Sequence, residues 1–442
     1  MPALATVPSI EIIMSDISGP PPPPPVTQTR EFWVLMAYAA ALGVFGAFAG
    51  LVFVGVTGFG NHWYVDSDPR WFGGHWWWIA VAAAAGIVVG LLRRLTRLPD
   101  QTPGLIEDLK DEHVNPVLVP GIAIVSAVSL IGGASLGPEK ALGAIGGGAG
   151  SLLAKRRELS ADSSKVNTLS GFAGAYGGLF SSTVIVVMLI MEAARPGGQR
   201  FTKALAGAIV ASSVSFGIYF AIAGAAFVDV YRVPHFMFED WQLGAGVLLG
   251  LFAAILVTVL AVFIQGAARL FGRLKVPQTL RSTLGGATFG LVGVILPLTM
   301  FTGTTQLSTV LKDGGSLGAG LLAVTLIGKM FTFGVCQASG FIGGPIFPAL
   351  FLGGTAGVIV HLVIPGVPLG LAFACLLAAV PGSLVAAPFT MVLLAAFLTQ
   401  VGALQTAPVL LAVITAYLTM EGIRYLVASR KRARTAAAPA AG

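Results

Sequence analysis

The sequence predicts an all-α, polytopic membrane protein of tilted and broken helices, arranged as two inverted repeats. Three observations carry that prediction. Of its 442 residues, 55% are hydrophobic and 10% are charged, whereas a soluble chain carries roughly a quarter charged residues. Apolar runs of about twenty residues, the length that crosses a ~30 Å hydrocarbon layer, recur along the chain, and mean hydropathy is +0.86. Two glycine-rich breaks, about two hundred residues apart, interrupt those runs in the same manner. Such a repeat points to two related halves meeting at a shared site.

The net charge of +7 does not indicate nucleic acid. Its basic residues gather in short loops and the tail: Arg93, Arg94 and Arg97; Lys155, Arg156 and Arg157; Arg269, Arg273 and Lys275; Arg430, Lys431, Arg432 and Arg434. That is the positive-inside pattern, and it places the C-terminus in the cytoplasm, with the chain in the cell membrane if the source is prokaryotic. Cys336 and Cys375 lie in apolar sequence, and the five histidines show no metal-ligand spacing. No metal and no cofactor is expected.

Taken in order, residues 1–29 read as a disordered, proline-rich leader, since Pro20 to Pro25 favour an extended rod. Glu11, Asp16 and the lack of a basic start argue against a signal peptide. Residues 30–428 form the membrane domain, in halves of approximately 30–226 and 240–428. Spans are expected at 32–60 and at 76–95, the latter opening on Trp76-Trp77-Trp78, an interfacial anchor. Residues 101–113 are too short and charged to span, and 116–131 stop at the first break. Helices follow from 166, at 179–194 and at 204–226, then an external loop at 227–240. Spans at 243–267 and 283–300 precede a polar break at 302–315. The apolar run 317–336 ends in the second break, 338–348. Two or three more segments reach residue 427, and 429–442 make a basic cytoplasmic tail.

The first break carries the chemistry. The glycines of 131–137 let the backbone turn sharply, and Pro138 suits a first helical turn because its missing N–H has no intrahelical partner there. Free N–H groups and the positive end of the helix dipole then make a site for an anion. Glu139 sits in that turn, and an acid inside a membrane segment is a functional residue by default. In the second break Gly343-Gly344-Pro345-Ile346-Phe347-Pro348 repeats the arrangement. One reading of another class exists: Gly133-Ala134-Ser135-Leu136-Gly137 fits the nucleophile elbow of serine hydrolases, though no strand pattern surrounds it. Lys329, in an apolar run, either adds positive potential to a pathway or pairs with a buried carboxylate or carbonyls.

From residue 32 to 427 the chain resembles the CLC family of chloride channels and proton-coupled chloride exchangers. Gly137-Pro138-Glu139 is similar to the family's Gly-x-Glu-Gly-Pro segment, whose glutamate gates the anion pathway. Gly344-Pro345-Ile346-Phe347-Pro348 is similar to Gly-x-Phe-x-Pro, and Pro103-Gly104 stands where Ser-Gly or Pro-Gly opens a half-helix. The resemblance implies a homodimer in the lipid bilayer, with one pore per subunit for chloride or a similar monovalent anion. It implies that the gate is Glu139 and that the anion-binding residues are Pro103, Gly104, Gly137, Gly344, Ile346 and Phe347, with Tyr425 at the inner gate and Tyr417 as the fallback. Lys140, which the resemblance does not cover, is either a further anion-binding charge or points away to water.

The departures are informative. Lys140 and Ala141 follow Glu139 where Gly-Pro is usual, and Pro345 removes one amide donor. Pro103 replaces the serine, as in some nitrate-preferring plant members. Ala193 stands at the position of the exchangers' second glutamate, leaving Glu192 as a possible proton relay or as a helix-end acid paired with Arg195 or Lys203. Channel and proton-coupled exchanger both remain open, as do chloride and nitrate.

Overall fold

The computed structural model describes residues 25–65, 75–224 and 231–436. Most of the proline-rich leader, the start of the expected external loop at 227–230, and residues 437–442 of the tail lie outside them. Among the described residues the chain forms fifteen α-helices. The first half contains α1 (Arg30–Val65), α2 (Trp77–Leu95), α3 (Leu105–Asp111), α4 (Val119–Ile131), α5 (Glu139–Arg156), α6 (Ala161–Leu179), α7 (Thr183–Ala194) and α8 (Gln199–Ala223). The second contains α9 (Trp241–Arg273), α10 (Gln278–Ile295), α11 (Thr304–Ala338), α12 (Ile346–Val363), α13 (Leu369–Val385), α14 (Pro388–Thr399) and α15 (Thr406–Ala436). Seven of these (α1, α2, α8, α9, α11, α12 and α15) are long and apolar enough to cross a membrane.

Local chemistry sets the ends. Ser160 and Ser182 cap α6 and α7, each side-chain oxygen accepting the N–H three residues on. Arg93 and Arg94 close α2, where cations complement the carbonyl end of the helix dipole. The helix expected from residue 179 starts only at Thr183, because Ser181 turns left-handed (φ 49°) to place the Ser182 cap.

The expected break at 302–315 is a correction. Those residues are helical from Thr304, and the true interruption is Gly318, at φ 74° and ψ 155°. The polar composition hides an amphipathic pattern: Leu307, Val310, Gly314 and Leu317 are buried at spacings of three and four. The basic residues after 429 likewise continue α15 as helix, to Ala436.

The two halves show their relation in how their helices cross. A Cβ on Gly86 would collide with Ser282 O, and one on Gly286 with Ala82 O; Gly90 faces Thr279, and Gly290 faces Ile79. Each contact of α2 on α10 is thus returned by its equivalent, the signature of a two-fold relation. The α5–α6 crossing, Gly146 on Gly171 and Gly150 on Asn167, is repeated in α12–α13 by Gly353 on Leu376 and Gly357 on Phe373. Without bulk water to drive apolar faces together, close backbone approach at small residues is what binds membrane helices. The core follows the seam, where α5, α6, α12 and α13 carry mostly buried residues.

Candidate functional site

The breaks bring the starts of α5 and α12 face to face. Gly137 N–H donates to Gly344 O at 2.9 Å, and Gly344 N–H returns the bond to Gly137 O at 2.7 Å. These two amides are therefore spent on each other, and the expectation that Gly137 and Gly344 bind an anion directly is corrected. What they supply is clearance, since a Cβ on either would overlap the Glu139 carboxylate.

Glu139 is fully buried, and its Oε1 accepts the Ile346 N–H at 2.6 Å. The carboxylate thus lies at the positive end of α12, where an anion would otherwise sit. Oε2 is buried with no hydrogen-bond partner. The Tyr176 hydroxyl donates to the Glu139 carbonyl at 2.9 Å and pins the start of α5 to α6. Phe347 is buried and stacks on Phe180, with centroids 6.3 Å apart and planes at 2°. Tyr176 and Phe180 escaped sequence reasoning. Their one signal was large aromatics recurring every four residues, Phe172, Tyr176 and Phe180, along the small-residue run of α6 and just past its end.

A cavity of about 540 Å³ is lined by Gly104, Lys140, Pro345 and Arg93, among others. The Lys140 ammonium donates to Thr102 Oγ1 at 2.7 Å. The Arg93 guanidinium donates to the carbonyls of Gly340, Pro99 and Asp100. On α3, burial pushes the Asp108 carboxyl up to about 6, against the opposing pull of Lys140. Pro103 and Gly104 are exposed, and the Gly104 N–H already donates to Glu107 Oε2 at 3.1 Å. The start of α3 is capped by its own acid, so Gly104 is not a ready donor.

Tyr425 and Glu192 differ from expectation, and Lys329 takes one of the two kinds of partner expected for it. Tyr425 is 73% exposed on α15 and contributes nothing to the cavity, while Tyr417 is half-buried. Glu192 pairs with neither Arg195 nor Lys203 through its carboxylate. Its two oxygens accept the N–H groups of Phe389 and Thr390, both at 2.9 Å, and the Thr390 hydroxyl at 2.6 Å. It caps α14. Glu192→Ala is therefore expected to cost about 1–2 kcal/mol, the worth of a lost helix cap; a lower unfolding midpoint in detergent measures it. Lys329 is fully buried and donates to Met300 O at 3.0 Å and Phe301 O at 2.7 Å, with its ammonium 5.1 Å from the Phe351 ring centre. Carbonyls, not a carboxylate, are its partners.

Ser135, the centre of the hydrolase-like motif, is fully buried in the loop between α4 and α5, and its Oγ has no hydrogen-bond partner. No base activates it, and the loop leaves a helix where a nucleophile elbow leaves a strand.

Residues 87–421 match the family model described as voltage gated chloride channel. The chain belongs to the CLC family. CLC proteins are channels and transporters that move small anions across membranes. A relative from Salmonella newport (strain SL254), named putative ion-transport protein YfeO, is 27% identical over 312 residues, covering 67% of this chain and 72% of its own. Among solved CLC structures, a slow cyanobacterial Cl⁻/H⁺ antiporter superposes with TM-score 0.73 at 19% identity, over 88% of this chain and 94% of that one. A CLC-type fluoride/proton antiporter gives TM-score 0.71 at 17% identity with the same coverage. At these identities the structures establish a shared fold.

Proposed function

We propose that this CLC protein conducts chloride or a similar small monovalent anion down its gradient, with Glu139 as the gate. The observation that carries the reading is the 2.6 Å bond from Ile346 N–H to the Glu139 carboxylate. A carboxylate held by a helix start imitates a bound anion, and an anion or a proton can displace it. Oriented amides hold an anion without a full charge and so let it leave. Lys140 and Arg93 draw anions into the cavity. The protein works as a homodimer in the cell membrane, with its C-terminus in the cytoplasm. Val184 on α7 and Phe389 and Phe397 on α14, apolar and exposed, suit a second copy.

No dedicated proton relay is part of this reading, because Ala193 cannot titrate and both Glu192 oxygens cap α14. The second reading, proton-coupled exchange, draws on the antiporters that share the fold. Anion efflux from reconstituted vesicles with simultaneous proton recording separates the two. Downhill anion flux without proton movement is expected. Uphill proton movement at a fixed ratio would establish exchange, and the absence of any anion flux would remove the proposal.

Selectivity provides a milder test. Pro103 offers no hydroxyl, so a poorly hydrated, planar anion is favoured. Pro103→Ser is expected to shift the permeability ratio toward chloride over nitrate by about threefold, less than a full hydrogen bond is worth. An unchanged ratio leaves Pro103 as a helix starter only.

A further inference from the structure

The hairpin of α9 and α10 carries a run of positive charge outside the lining of the anion cavity. Between Asp240 and Asp313 the sequence contains no acidic residue, yet Arg269, Arg273, Lys275 and Arg281 fall there. None of the four forms an ion pair among the described residues. Arg269, Arg273 and Lys275 are exposed. Arg281 is half-buried, and its Nε is buried with no hydrogen-bond partner. An unpartnered buried donor on a cation is costly unless something anionic comes to it.

Beside these cations lies an apolar groove of about 520 Å³, lined by Phe263, Leu270, Leu274, Leu284, Thr288 and Phe331 among others. It faces outward, with Leu270 58% and Leu284 41% exposed. Helical spacing aligns cations and groove. On α10, Arg281, Leu284 and Thr288 follow at three and four residues, one stripe of the helix. On α9, Arg273 lies three residues beyond Leu270 on the groove-lining stripe, with Lys275 in the connecting turn. The same side of the molecule gathers more positive charge. α15 runs parallel to α9, with Gly246 against Pro408, Gly250 against Ala412 and the Thr258 hydroxyl on Met420 Sδ, so the basic end of α15 lies toward the basic end of α9.

We propose that this groove binds an anionic phospholipid, one acyl chain lying against Phe263, Leu284 and Phe331 and the phosphate among Arg273, Lys275 and Arg281. Basic pockets between membrane helices on the cytoplasmic side recognise anionic head groups in this way, and guanidinium groups meet phosphate with paired donors. A zwitterionic lipid fills the groove equally well but sets its own cation against the three positive charges. Membrane orientation alone accounts for cations in the turn. It does not account for Arg281, within a helix and one turn from the groove wall.

The test uses the full chain purified in detergent, with phosphatidylglycerol or phosphatidylcholine of identical acyl chains. Native mass spectrometry counts the lipids retained. Wild-type protein is expected to retain phosphatidylglycerol over phosphatidylcholine by at least about tenfold, a conservative figure for three juxtamembrane cations. Arg281→Gln alone, which leaves the turn's charges in place, is expected to cut the preference severalfold, and Arg273→Gln with Lys275→Gln and Arg281→Gln to abolish it. Leu284→Trp, which fills the groove, should lose both lipids, while Arg94→Gln should leave the preference intact. Equal retention of the two lipids by wild-type protein overturns the proposal. So does an unchanged preference in Arg281→Gln, or full competition by free glycerol phosphate, which would mark a phosphate site without a lipid. None of these readouts depends on anion flux.

Discussion

Glu139→Gln is expected to yield an anion flux that no longer follows the gate's protonation. In the wild type the ionised carboxylate holds the Ile346 amide, and each pH unit above its pKa lowers the protonated fraction about tenfold. Flux should therefore climb as pH falls. A glutamine side chain in its place cannot ionise and competes weakly for a donor that prefers negative charge. Flux of the variant at neutral pH should then rise to the level the wild type reaches only in acid. Asp108 adds a second, shallower component. Its carboxyl, pushed up to about 6, loses its charge between pH 7 and 5 and leaves the cavity more positive. A shallow rise in that window should survive Glu139→Gln and vanish when Asp108→Asn is added. Stopped-flow efflux from vesicles across pH 5 to 8 reads both. A Glu139→Gln profile with the full wild-type slope would remove Glu139 from the gate.

Gly344→Ala should produce nearly the same phenotype with the glutamate still present. A Cβ there would overlap Cγ, Cδ and Oε1 of Glu139, while the Gly344 N–H and C=O that bond Gly137 are backbone groups and survive. The clash falls on a flexible side chain, so the carboxylate leaves the helix start and the fold stays. Flux at pH 7.5 is expected to rise roughly tenfold, the effect of about 1.4 kcal/mol against the blocked state. Combining Gly344→Ala with Glu139→Gln should add little, since both empty one position. Fully additive effects would mean that the alanine acts elsewhere.

The sequence disclosed the spans and the repeat because each rests on local pattern, apolar length and glycine next to proline, and it singled out Glu139, the proposed gate, as an acid in an apolar run. It was silent wherever a contact joins distant segments. Glu192 looks like an acid awaiting a nearby base, but its partners are backbone amides of Phe389 and Thr390, which nearly every residue type carries and no composition reveals. Gly137 and Gly344 stand out in the sequence as special, yet their donors are spent on each other. The break expected at 302–315 failed because Thr, Gln and Ser on the outward face outweighed four buried residues at helical spacing. Tyr425 rests on motif order alone, and a single polar aromatic carries no information about which way its helix faces.

The bond between Glu139 and Ile346 also has a history within each molecule's synthesis. The two residues are separated by 207 positions, so at 5–20 residues per second the ribosome needs about 10–40 s after adding Glu139 before its partner exists. During that interval the nascent first half holds a membrane-embedded acid whose helix-start donor has yet to be made. Newborn chains are therefore most exposed to quality-control proteases and to misinsertion in that window. Slowing translation beyond residue 156 should lower the yield of assembled protein more than slowing it before residue 130.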